Sequence, residues 1–141
     1  MEDSIFTKII KGEIPCHKVY EDEKVIAFLD IDPMTPGHTL IVPKKQIDNL
    51  WDLDDETYSY TMQIAKKVAC RLQEVLNPKR VGMALEGFAV PHAHIHVFPL
   101  EKGLADTTID HVNKQNREPD HTALAEIAKQ LAFVIPAQAG I

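Results

Sequence analysis

The sequence predicts an α+β domain built on an antiparallel sheet, and three observations carry that expectation. Short apolar runs of strand length come in pairs, close enough along the chain to form hairpins. One long stretch, residues 54–76, repeats its apolar positions at helical spacing. No regular strand–helix–strand rhythm marks a parallel sheet. At 141 residues, 45% hydrophobic and 26% charged, the chain reads as one soluble domain over residues 1–141.

The elements follow in order. Residues 4–11 place Ile5, Phe6, Ile9 and Ile10 on one helical face, with Asp3 or Ser4 as cap and Gly12 as stop. Pro15 opens an extended run. Residues 18–20 and 24–30 read as two strands of a hairpin, and residues 38–43 as a third strand closed by Pro43. In the long helix, Tyr58, Met62, Ala65, Ala69, Leu72 and Leu76 form the expected core stripe, with Asp52 or Asp54 capping the start and Asn77-Pro78 the end. Residues 81–86 and 92–98 read as two more strands. Residues 101–119 form a polar loop, a last helix runs from Asp120 or Thr122 to about Val134, and residues 136–141 are a small-residue tail.

Composition narrows the function. A net charge of -6 argues against a nucleic-acid partner. The longest apolar stretch, residues 131–136, is far short of the roughly 20 residues a membrane span needs. Cys16 and Cys70 form no Cys-x-x-Cys pair, and the acidic start does not resemble a signal peptide, so the expected setting is cytoplasmic with reduced thiols.

The segment Pro91-His92-Ala93-His94-Ile95-His96-Val97-Phe98-Pro99 carries the chemistry. In a strand, His92, His94 and His96 share one face, and Ala93, Ile95 and Val97 the other. Neighbouring histidines then sit about 6.8 Å apart along the strand, so all three cannot readily share one metal ion. A neutral imidazole is a good nucleophile near neutral pH, and flanking imidazoles can donate hydrogen bonds to charged oxygens. That combination suits attack on phosphorus. A His-x-His metal site, using His92 or His94 with His96, is the competing reading.

His92-Ala93-His94-Ile95-His96-Val97-Phe98 matches the signature of the histidine triad (HIT) family at every position. Ile5-Phe6-x-Lys8-Ile9-Ile10-x-Gly12-Glu13-Ile14-Pro15 resembles the N-terminus of its Hint-like and bacterial HIT branch. Phe28-Leu29-Asp30-Ile31-x-Pro33 and Pro36-x-His38-x-Leu40-Ile41-Val42-Pro43-Lys44-Lys45 continue the likeness, which covers residues 4–100. The resemblance implies a HIT-like fold with a five-stranded antiparallel sheet, a homodimer, and cleavage of a nucleoside monophosphate from a phosphoramidate or polyphosphate. No cofactor is expected.

By position, His94 resembles the nucleophile that carries a nucleotidyl intermediate, oriented through the carbonyl of His92. His96 resembles the residue bonded to the phosphate oxygens, and His38 an upstream supporting histidine. Asp30 resembles the carboxylate that takes both ribose hydroxyls. Ile5, Phe6, Ile9, Phe28 and Ile31 resemble the apolar slot for the base. Read without the family, that stripe is core and Asp30 a turn residue.

Two departures stand out. Where members often carry Gly-Gln-Ser or Gly-Gln-Thr ahead of the triad, this chain has Gly87, Phe88 and Ala89, whose backbone can still approach the phosphates. Two side-chain hydrogen bonds are thereby missing. Some bacterial relatives also hold a structural zinc through a Cys-x-x-Cys pair and a later histidine; those places here are Ser4, Thr7 and Gln46, so no zinc is expected there. An adenosine 5′-phosphoramidate-type substrate is the first expectation and a diadenosine polyphosphate the second. The rivals are a non-catalytic nucleotide-binding module and the metal-binding protein.

Overall fold

The computed structural model describes residues 2–107 and 118–135. Its elements are α1 (Ile5–Ile10), β1 (Lys18–Glu21), β2 (Val25–Leu29), β3 (Thr39–Pro43), a 3₁₀ turn (Leu50–Asp52), α2 (Asp55–Leu76), β4 (Arg80–Ala84), β5 (Ile95–Leu100) and α3 (His121–Leu131). The five strands make one antiparallel sheet in the order β1-β2-β3-β5-β4. The predicted α+β fold with a five-stranded antiparallel sheet is the one observed.

β2 and β3 are apolar at nearly every position because both of their faces are covered, and every residue in them is buried. On one face, Val25, Ala27, Leu29, Ile41, Ile95 and Val97 pack with Ile64, Ala65, Val68 and Leu72 of α2 and Leu124, Ala128 and Leu131 of α3. On the other, Ile26, Phe28, Leu40 and Val42 pack with Phe6 of α1. The two-residue period of a strand therefore assigns each side chain to the helical core or to the α1 face.

Local chemistry sets the ends. Ser4 caps α1 by accepting from the Thr7 N–H, and Asp54 does the same for α2. Asn77 closes α2 in the left-handed conformation, with Pro78 preventing continuation. The core line of α2 is Thr61, Ile64, Ala65, Val68 and Leu72, with Tyr58, Met62, Ala69 and Leu76 half-buried beside it. The predicted stripe thus lies along one margin of the buried face. Thr61 enters the core because its hydroxyl donates to the Thr57 carbonyl at 2.7 Å.

Other boundaries also moved. β5 starts at Ile95 rather than His92, and β4 spans Arg80–Ala84 rather than residues 81–86. β3 offers its last partner to β5 at Ile41↔Ile95. Upstream of that pair the His92 N–H donates to Val90 and the Ala93 N–H to Ile47, outside any ladder. α3 begins after the cap at Asp120 and stops at Leu131, short of Val134. The expected polar loop is instead helical at 104–107, where the Thr107 N–H donates to the Gly103 carbonyl, and its residues 108–117, with the tail 136–141, lie outside the described residues.

Candidate active site

Although His92 and His94 precede β5, the alternation holds through them. Ala93, Ile95 and Val97 enter the helical core, while the three histidines lie on the α1 face. The Phe6 ring meets His92 edge-on at 5.9 Å and His94 at 5.0 Å between centroids, and His94 in turn meets His96 at 5.0 Å. His92 and His94 are buried, at 0% and 6% exposure, and His96 is half-buried.

Hydrogen bonds fix where the ring protons sit. A carbonyl only accepts, so His94, whose Nδ1 lies 2.7 Å from the His92 carbonyl, carries its proton on Nδ1 and has its lone pair on Nε2. His92 likewise donates from Nε2 to the Pro43 carbonyl at 2.7 Å. His38 accepts the Met34 N–H at Nδ1, 3.0 Å, so in neutral form its Nε2–H points to His96 Nδ1, 2.9 Å away. That leaves the His96 proton on Nε2, a donor. Asp30 Oδ2 lies 3.7 Å from His38 Nε2, and Asp30 Oδ1 accepts the Asp32 N–H.

Burial, reinforced by His94, pushes the His96 pKa down to about 4, so the ring is a neutral donor at physiological pH. Burial also lowers His92, partly offset by its bond to Pro43.

The structure therefore lines up His94, His96, His38 and Asp30. Phe6 and Phe28 meet edge-on at 5.6 Å in the α1-face cluster, with Ile9 packed against it. Ile5 and Ile31, also expected in the base slot, are 50% and 52% exposed and stand outside that cluster. Gly87, at φ +84°, lines a hollow of about 100 Å³ beside His94, together with Asp48, Trp51, Leu85 and Glu86. That space is smaller than the roughly 300 Å³ of the smallest usual ligand pockets, too small for a nucleoside. Phe88 is 90% exposed, and neither it nor Ala89 lines the hollow.

Sequence reasoning missed the walls of the hollow, since nothing local ties Asp48 or Trp51 to the triad. It also missed that Ser4, Thr7 and Gln46 converge on His92: Ser4 Oγ lies 2.7 Å from His92 Nδ1, and Gln46 Oε1 accepts from the Ser4 N–H and the Thr7 hydroxyl. As for metal, Asp30, His38 and His96 bring ligand-capable atoms within 4.8 Å of one another, a set different from the His-x-His pair read from sequence. The two nitrogens facing each other there already share a hydrogen bond.

A family model described as HIT domain matches residues 11–103. Over 96 residues the chain is 36% identical to the adenosine 5′-monophosphoramidase hnt1 of Schizosaccharomyces pombe, covering 67% of this chain and 72% of that one. A crystal structure of a HIT-like protein from Bartonella henselae superposes with TM-score 0.77 at 33% identity, over 92% of this chain and 94% of that one. A zinc-bound histidine triad protein from Mycobacterium smegmatis superposes with TM-score 0.72 at 28% identity, over 90% and 88%. The triad, the sheet that presents it and these likenesses agree: the chain belongs to the HIT domain family.

Proposed function

We propose that this chain is a nucleotidyl hydrolase or transferase that takes a nucleoside monophosphate from a phosphoramidate, with His94 as the nucleophile. The observation that carries this reading is the 2.7 Å bond from His94 Nδ1 to the His92 carbonyl, which leaves the Nε2 lone pair for phosphorus. Attack forms the N–P bond. The P–N bond to the leaving amine breaks, and the amine departs with the bonding pair and a proton from solvent. Water then adds to phosphorus, loses a proton to solvent, and the N–P pair returns to His94. His96 Nε2–H donates to the phosphate oxygens as charge gathers on them.

The nucleoside extends over His96 toward Asp30, whose carboxylate can accept both ribose hydroxyls. The fission-yeast phosphoramidase likeness favours an adenosine 5′-phosphoramidate. Exposed Phe88 and Ala89 supply neither an amide nor a hydroxyl to the phosphate, and favour a diadenosine polyphosphate as the second reading; it proceeds through the same intermediate. A homodimer belongs to the same proposal, because β4 is an edge strand with Met83 and Leu85 exposed beside it. So does a reducing, cytoplasmic setting, given two free cysteines.

Turnover of a fluorogenic adenosine phosphoramidate tests the assignment. His94→Asn should lower kcat/KM roughly a thousandfold. Mass spectrometry after a quench that spares acid-labile bonds should find a nucleoside monophosphate on the peptide of residues 92–98. Equal turnover by the two proteins would overturn the mechanism.

A further inference from the structure

The structural zinc of some family members would fall on Ser4, Thr7 and Gln46, and the chemistry of that donor set does not fit it. Zinc asks for thiolate or imidazole lone pairs. Two hydroxyls and an amide supply neither, and each is committed. Gln46 Oε1 accepts the Ser4 N–H at 3.0 Å and the Thr7 hydroxyl at 2.5 Å, and Gln46 Nε2 donates to the Glu2 carbonyl at 2.8 Å. The one imidazole lone pair in the cluster, on His92 Nδ1, faces Ser4 Oγ at 2.7 Å.

With His92 neutral, the distances select one arrangement of the protons. An amide oxygen only accepts, so Thr7 spends its hydroxyl proton on Gln46 and cannot donate to His92 Nδ1, 3.3 Å away. His92 spends its ring proton on the Pro43 carbonyl. Ser4 Oγ accepts the Thr7 N–H and keeps one proton, which goes to His92 Nδ1 at 2.7 Å rather than to Thr7 Oγ1 at 3.3 Å. Ser4 is 6% exposed and His92 0%, so water does not compete for either bond.

We infer that Ser4, held by Thr7 and Gln46, is a positioning residue: it clamps the His92 ring through Nδ1, so that the His92 carbonyl holds the His94 proton on Nδ1 and aims Nε2. The clamp runs from the first turn of α1 through Gln46 after β3 to the triad, a protein-only arrangement at the place where other members bind metal. Its catalytic consequence rests on the proposed role of His94, whereas its structural core, the ordering of two ring protons, does not.

Glycine caps a helix nearly as well as serine, so Ser4→Gly removes the hydroxyl while leaving α1 capped. Ser4→Thr restores a hydroxyl. In ¹⁵N-labelled protein, wild type should show His92 protonated on Nε2 and His94 on Nδ1, both exchanging slowly with solvent. Ser4→Gly should speed exchange of the His94 ring proton at least tenfold and lower kcat about tenfold with KM unchanged, and Ser4→Thr should recover both. Adding Zn²⁺ to wild type should leave the His92 nitrogen shifts in place. The clamp is overturned if exchange at His94 is the same in Ser4→Gly and wild type, or if one equivalent of Zn²⁺ moves His92 Nδ1. If wild type fails to turn over the phosphoramidate, the functional reading falls while the exchange and zinc arms still decide the clamp.

Discussion

At the His92 end of the histidine row both ring nitrogens are spent inside the protein, on Ser4 and on Pro43, each at 2.7 Å, and the ring is fully buried. At the His96 end one nitrogen meets His38 at 2.9 Å, the ring is half-buried, and Asp30 stands nearby with its side chain partly open to solvent. Three residues of chain separate a ring with both nitrogens engaged inside the protein from one that is half-buried. In the proposed mechanism the sealed end supplies orientation that exists before substrate arrives, and the open end supplies the donors that respond to its charge. Preorganisation of this kind places the cost of ordering in folding rather than in the reaction.

The largest effect should come from breaking the sealed end. Phe6 touches His92, His94 and Phe28 with its ring edges and is 6% exposed. Phe6→Ala should cost about 3–5 kcal/mol of stability, read by urea unfolding, because it opens a cavity against three rings. A loss under about 1 kcal/mol would show that this end is not packed as described. The open end should behave in the opposite way. His96→Ala removes a donor to a charged oxygen, worth about 1.5–3 kcal/mol, so kcat/KM should fall roughly 10–100-fold. Its unfolding free energy should change less than that of Phe6→Ala. If turnover survives and stability collapses instead, the two ends have been assigned the wrong way round.

How much of this was legible in the sequence follows from the reach of each pattern. Strand alternation is local, so the phase of His92, His94 and His96 against Ala93, Ile95 and Val97 could be read directly and holds in the fold. The helix of residues 54–76 was legible for the same reason, but the centre of its buried face was not, because Thr61 hides its hydroxyl on the Thr57 carbonyl. The difference between the two ends was invisible. Ser4 is 88 residues from His92, and His38 is 58 from His96. Only tertiary structure decides which imidazole finds a serine and which finds another imidazole. Family likeness matched positions 4, 7 and 46 to the zinc ligands of some relatives, and their residue types argued against zinc here; their joint contact with His92 emerged only in three dimensions.

The gentlest probe of the contrast is acid. In the unfolded chain His96 binds its proton near the ordinary value of 6.5, whereas in the fold it resists protonation down to about 4. Between those values the unfolded chain carries more protons, so stability rises with pH across that window. The contribution is fully present above about 6.5 and is lost as pH falls toward 4. His92 and His17 are lowered by burial and act with the same sign, His17 from an exposed pair with His121 away from the triad. The carboxylates held low, Glu21, Asp22 and Asp54, titrate beneath the interval from pH 7 to 5 and leave it to the histidines. Allowing for partial exposure, His96 should account for about 1 kcal/mol of the loss over that interval. Calorimetric scans at pH 7 and 5 should therefore show a larger drop in Tm for wild type than for His96→Gln, which has no proton to gain. Equal drops would mean that the open end is solvated well enough to titrate normally, and the contrast with His92 would then rest on hydrogen bonding alone.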